Sequence, residues 1–432
     1  MAGAKLNGLL SGAREIYVSA CAAEIMDLPE RLVQAGARDA VLTGLFSPMV
    51  NHRSYADAAR GLSVRTFLLT RPLKADMARG LVEFCPWRYS MIDRWLSAPG
   101  RFDVVIAMLS PPDAKGMCSF GVQADFHPSL FASARHVIGF INPNMPATAG
   151  HARIPYRALA AAIDYDVPLP QVPVRGGDAV SVAIARNIAG LVPDGATVQV
   201  GTGQLPSEVL AQLAGHRHLR IHTGVVDDNI LTLERSGALD RDAPIVTGTA
   251  IGTRALYDAV ADTRRFALKS VVDTHAYANI AGAQRFNAIN SVLQVDLLGQ
   301  ISGEAIGGRI AATPGGLPDF VRGAQDSPDG QSIIAVRAKG EAGRHDGIAP
   351  LIDNPAIVTI GAVDAHLIVT EFGVADVRGL SMDRRAQAII AIAPPESRDR
   401  LEEQWRAMRG RLFGGVRSAA PLPNGAGMAA PL

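Results

Sequence analysis

Cysteine is scarce. The 432-residue chain carries three, Cys21, Cys85 and Cys118, widely spaced and with no CxxC pair. That usage excludes a disulfide scaffold and fits a reducing, cytoplasmic setting. Long apolar runs are missing as well: stretches such as Ala386 to Ala393 are too short to span a bilayer and read as buried strands or core helix faces. Met1 to Gly12 carries Lys5 but no long apolar stretch with a cleavage site, so no signal peptide is expected. Neither sign of charge is in excess. A formal net charge of +1 gives no electrostatic argument for nucleic acid or an anionic membrane as partner. Lysine is rare and arginine supplies nearly all the positive charge, so a phosphate-bearing ligand would meet arginine or backbone amides. No Walker motif, HExxH or GxSxG occurs. What remains is 48% apolar and 19% charged residues, the composition of a globular chain long enough for two or three domains.

Short apolar runs alternate with amphipathic segments. Glu15 to Ser19, Ala40 to Thr43, Val104 to Leu109 and His136 to Ile141 read as strands, with a helix through Leu28 to Ala35. A second series begins near residue 178: a helix over Val180 to Leu191, a turn at Pro193-Asp194-Gly195, and a strand from Ala196 to Val200. Later strands are predicted at Ser332 to Val336, Ile357 to Ile360 and His366 to Thr370. The Pro- and Gly-rich stretch Val167 to Gly177 makes a linker. The reading is an α/β fold with two open halves and mainly parallel sheets, residues 1–172 and 173–413, with a loose tail over 414–432. Ligands of such sheets usually sit at the carboxyl ends of strands, which places the active site between the halves.

Four segments have residues suited to chemistry. Gln199-Val200-Gly201-Thr202-Gly203 passes from a strand into a helix, where a glycine pair lets backbone amides approach an anion or a developing oxyanion. Pro206 stands where a dinucleotide fingerprint would have its third glycine, and a bare GxG is more often a tight turn. Gly315-Gly316-Leu317-Pro318-Asp319 offers close backbone approach, or a surface loop with an Asp319–Arg322 pair. Glu371 leaves a strand end, where catalytic groups are often placed; with Asp376 and Arg378 it equally suits a buried structural network. Ser110-Pro111-Pro112-Asp113 with Cys118 reads as a rigid loop facing the second half, the lone cysteine as packing. His216 and His218 have no carboxylate or cysteine nearby and read as surface residues, not metal ligands.

Together these segments resemble the acetyl-CoA hydrolase/transferase family, which includes 4-hydroxybutyrate CoA-transferase and butyryl-CoA:acetate CoA-transferase. The resemblance is nearly full length. It runs in order through Ser110 to Asp113, Asp194 to Gly203, Ile289 to Gln300, Gly315 to Ala324 and Val369 to Gly379. It implies the CoA-transferase type of open α/β halves, a homodimer, and acyl-CoA with a small carboxylic acid as substrates. Coenzyme A is then a substrate moiety and no cofactor is permanently bound. The family's CoA contacts fall on Gln199, Val200, Gly201, Thr202, Gly203, Leu293 and Gly316, with Lys339 as a further match. The family's nucleophile is a glutamate that attacks the thioester and becomes a glutamyl-CoA. The matching string here is His222-Thr223-Gly224-Val225-Val226-Asp227-Asp228, with Gly224 at that position.

Three readings follow. Water could attack with Asp227, Asp228 or His222 as base, or the site could support other acyl-CoA chemistry such as decarboxylation or a lyase reaction. Asp227 or Glu371 could substitute as nucleophile. Otherwise the protein is a non-catalytic CoA-ester binder. If only the nucleophile is lost, Gly224→Glu should restore transfer. Gly203→Val should abolish binding by filling the space that backbone approach requires.

Overall fold

Aliphatic and β-branched runs build two large sheets. The computed structural model describes residues 2–150, 153–173, 176–201, 203–339, 345–353 and 355–413; Thr202 and the predicted tail lie outside them. Among the described residues the first sheet comprises β1 (Glu15–Val18), β2 (Val41–Gly44), β3 (Ser63–Thr66), β4 (Val82–Phe84), β5 (Phe102–Leu109), β6 (Ala134–Ile141) and β7 (Ala161–Asp164). Their order is β4-β3-β2-β1-β5-β6-β7, and every pairing is parallel. The central β5 is almost continuously apolar because helices and loops cover both of its faces.

The second sheet comprises β8 (Thr197–Val200), β9 (Arg220–Ile221), β10 (Phe286–Ser291), β11 (Gln331–Ala335), β12 (Leu367–Thr370) and β13 (Gly373–Asp376). The order is β9-β8-β10-β11-β12-β13, parallel except for the antiparallel hairpin β12–β13 at one edge. Between β9 and β10 run two small parallel pairs, Val225–Val226 with Thr249–Ala250 and Ile245–Thr247 with Phe266–Leu268. Gly224 opens the first of them, its carbonyl accepting the N–H groups of Gly248 (3.2 Å) and Thr249 (3.0 Å).

Strand order reverses between β1 and β5 in the first sheet, and between β8 and β10 in the second. Such reversals leave crevices at the strands' carboxyl ends. One predicted strand is absent. Ile357 to Ile360 makes only an isolated bridge at its end, where Thr359 and Ile360 bond the backbone of Ile301 in the short strand Ile301–Ser302; Val358 stays exposed. The apolar run Ala386 to Ala393 falls in the helix Met382–Ala391 and just past it. Among the described residues no helix is long and apolar enough to cross a membrane.

Candidate active site

The two crevices share one cavity of about 580 Å³. From the first half its wall takes Cys21 after β1, Ser47 to Met49 after β2, then Leu68, Arg71, Lys74, Tyr89 and Asp125. From the second half come Gln199 to Gly201 at the end of β8, Thr223 to Val225, His275, Asn290 and Ser291 at the end of β10, and Ala311 to Leu317.

The glycine turn after β8 is held by side chains. The Gln199 and Asn290 amides are buried and bond each other twice across β8–β10: Gln199 Nε2 donates to Asn290 Oδ1 (3.2 Å) and Asn290 Nδ2 to Gln199 Oε1 (3.0 Å). The Thr223 hydroxyl donates to the Val200 carbonyl at 2.9 Å, fastening the Gly224 segment to the same turn. Gln199→Leu orphans the Asn290 amide in the wall, so unfolding free energy should fall by about 1–3 kcal/mol. Urea titration checks this, and an unchanged midpoint would count against the pair.

The Gly315-Gly316 loop docks on the first half. The Gly315 carbonyl accepts the Tyr89 N–H at 3.3 Å. Asp319 in the following helix accepts from the Ser90 N–H (3.0 Å) and hydroxyl (2.6 Å), so its partner is Ser90 across the cleft, with Arg88 at 3.7 Å, rather than the expected Arg322. Burial pushes the Asp319 carboxyl above the usual carboxylate range.

Gly224 faces His275. A Cβ at residue 224 would stand 2.9 Å from His275 Cε1 and 3.1 Å from Nε2. A Cβ at Gly316 would stand 2.4 Å from the same Nε2. The imidazole thus fills the space that a side chain at either position would enter. It is 3% exposed, with ring centroids of Tyr89 at 4.9 Å and Phe320 at 4.5 Å. Burial, with His222 adding to it, pulls its pKa down to about 3, so the ring is neutral at neutral pH.

Most of the other predicted site residues lie elsewhere. Asp227 accepts from the Ser207 hydroxyl (2.7 Å) and the Asn229 N–H (2.9 Å), and Asp228 from the Thr253 N–H (2.8 Å). Both are tied down at the start of the helix Asn229–Ser236, outside the cavity wall. His222 Nε2 donates to the Thr274 carbonyl at 2.9 Å and its ring packs edge-on against Phe286; burial lowers its pKa. Glu371 accepts the Ala338 N–H at 2.9 Å, and exposed Lys339 pairs with Glu396. Leu293 and Gly203 lie off the wall too. A Cβ at Gly203 meets only Pro206 Cδ, at 3.9 Å, so Gly203→Val would act through the glycine's φ of +120°, not by filling space. Asp113 closes its own turn with the Lys115 and Met117 N–H groups and pairs with Arg153, while Cys118 is buried packing.

Asp125, Tyr89, Cys21 and His275 belong to the wall without having been singled out from the sequence. Asp125 is the carboxylate among the described wall residues; it accepts from the Phe126 N–H (2.6 Å), Gln123 Nε2 (3.3 Å) and the Thr249 hydroxyl (3.3 Å). Cys21 holds a left-handed backbone (φ 49°), its N–H bonded to Asn51 Oδ1 at 3.0 Å. Burial pushes the Cys21 thiol and the Tyr89 hydroxyl well up, which keeps both protonated at neutral pH.

Known proteins share this architecture. The acetyl-CoA hydrolase/transferase N-terminal domain matches residues 8–173 and the C-terminal domain matches residues 252–405. Gly224 falls between the two matches. The 4-hydroxybutyrate coenzyme A transferase of Clostridium kluyveri is 35% identical over 311 residues, spanning 70% of this chain and 72% of that protein. RipA from Yersinia pestis has a TM-score of 0.82 at 28% identity, covering 93% of this chain and 96% of that one. A 4-hydroxybutyrate CoA-transferase from Porphyromonas gingivalis gives 0.77 at 27% identity, covering 94% and 97%. With both domains matched in order and the fold shared nearly end to end, the chain belongs to the acetyl-CoA hydrolase/transferase family.

Proposed function

We propose that the protein cleaves acyl-CoA thioesters in the cavity between the halves, passing the acyl group to water or exchanging CoA onto a small carboxylic acid, without a glutamyl-CoA at residue 224. The observation that supports this reading is the open cavity of about 580 Å³, lined by the Gln199–Gly201 turn and Gly316, in which residue 224 has no side chain and an imidazole fills the adjoining space. A volume of that size suits a small-molecule site and favours catalysis over a blocked, non-catalytic fold. The Gln199–Gly201 turn and the Gly316 loop would approach the CoA ester through backbone. Binding energy from the remote parts of CoA would then be available at the thioester.

A second reading has one observation in its favour. Asp125 places a carboxylate in the wall, so transfer through an aspartyl intermediate has a nucleophile of the right chemical type. The experiment is a mass-spectrometric panel: purified protein with acyl-CoAs of varied chain length, with and without acetate. Free CoA without acetate is the expected result for hydrolysis, and new acyl-CoA only with acetate is the result for transfer. No product from any ester would overturn the reading.

A further inference from the structure

We infer that His275 is the catalytic base of this site, its Nε2 drawing a proton from the water that attacks the thioester carbonyl. The inference rests on the thioester-cleavage reading and commits it to hydrolysis.

Three observations carry it. The first is position: His275 Nε2 stands at the cavity wall between Gly224 and Gly316, where only glycine at both positions leaves room for the ring. The space that a side chain at residue 224 would enter is held in this chain by an imidazole nitrogen. The second is the tautomer. The Thr274 hydroxyl lies 3.1 Å from the Ser270 carbonyl and 2.9 Å from His275 Nδ1; with its single proton on that carbonyl, the ring donates its Nδ1–H to the hydroxyl and Nε2 bears the lone pair, which is the tautomer the base uses. The third is orientation: Tyr89 and Phe320 pack against the ring and the Thr274 bond fixes its angle, so the lone pair needs no reorganisation before it acts. The lowered basicity of the ring supports the assignment, since it keeps the base form throughout neutral pH at about the strength of a carboxylate.

The step balances. As the water oxygen bonds to the carbonyl carbon, one water proton passes to Nε2. The carbon–sulfur bond then breaks, and the departing thiolate takes that proton from the imidazolium. The products are a carboxylic acid and free CoA, and His275 returns to its starting form. Asp227, Asp228 and Glu371, tied to backbone N–H groups away from the wall, play no part in this step.

The test uses His275→Gln and His275→Ala in the full chain, with an acyl-CoA that the wild type cleaves. A non-cleavable thioether analogue of CoA reports binding. A general base contributes about 10²–10⁴-fold. Both variants should lose at least about 100-fold in kcat while binding of the thioether changes less than about threefold. Added imidazole should restore part of the rate in His275→Ala, where it has a vacated space to enter, and not in His275→Gln. Retention of kcat in folded variants would overturn the base while leaving thioester cleavage standing. Absence of cleavage by the wild type would overturn both.

Discussion

Gly224→Glu is expected to lower activity and stability rather than restore CoA transfer. Residue 224 lacks the positive φ that would make glycine obligatory for backbone reasons, so the obstacle is a neighbour, His275, whose ring atoms lie 2.9 and 3.1 Å from the position of a new Cβ. Tyr89 and Phe320 pack against that ring, and Gly316 admits no retreat on its side. Overpacking of this kind costs on the order of 1–3 kcal/mol. The glutamate would also displace the imidazole from the wall. Pairing the change with His275→Ala removes the clash, and the double variant is the one expected to gain transfer to acetate. Thermal unfolding and a transfer assay on all three variants check this. A single Gly224→Glu variant as stable as the parent, with new transfer activity, would show that His275 does not block a side chain at residue 224.

The second large effect is on stability against acid. His275 ordinarily titrates near 6.5 and is pulled down to about 3 by burial. Between those values the unfolded chain takes up a proton that the folded chain refuses, so stability rises with pH across this window and is lost as pH falls. From pH 7.5 to pH 5 the loss amounts to about 2 kcal/mol, reaching roughly 4 kcal/mol by pH 3. His222 and His366, also lowered chiefly by burial, act in the same direction. Comparing the parent with His275→Gln isolates the one residue, because every other group is common to both. Urea unfolding across pH 7.5 to 5 should show a shallower dependence in the variant. Equal slopes would mean that the ring is not buried as described.

Much of the fold is legible in the residues. The β5 run Phe102–Leu109 and the β8 run Thr197–Val200 are short, apolar and β-branched, and each ends at a turn-forming sequence. Their alternation with helices implies parallel sheets with ligands at the carboxyl ends, which is where the cavity lies. Ile357 to Ile360 has the same local character but meets only one residue of the two-residue strand Ile301–Ser302, and pairing is not a local property.

The site is legible in part, for a similar reason. Gln199 to Gly201, Gly224 and Gly316 stand out through glycine and motif, and the structure sets them in one wall. His275 stands out through nothing nearby: Val271-Val272-Asp273-Thr274-His275 has no spacing that marks a base. Its significance comes from two glycines distant in sequence that leave it room. Asp227 and Asp228 lie close to Gly224 in sequence, yet the chain turns into a helix there: Asp227 accepts from the Asn229 N–H at its start and from Ser207, and Asp228 from Thr253. Sequence proximity to Gly224 is a poor guide to which group lines the cavity.

On the proposed mechanism, thioester cleavage proceeds without a covalent CoA intermediate on a carboxylate. Intact-protein mass spectrometry, sampled while the enzyme turns over an acyl-CoA it cleaves, tests this directly. The expected result is free CoA accumulating while the protein mass stays unmodified, with label from ¹⁸O water in the product acid alone. A protein species heavier by CoA, or label retained in Asp125, would contradict the account and place a carboxylate nucleophile back in the mechanism.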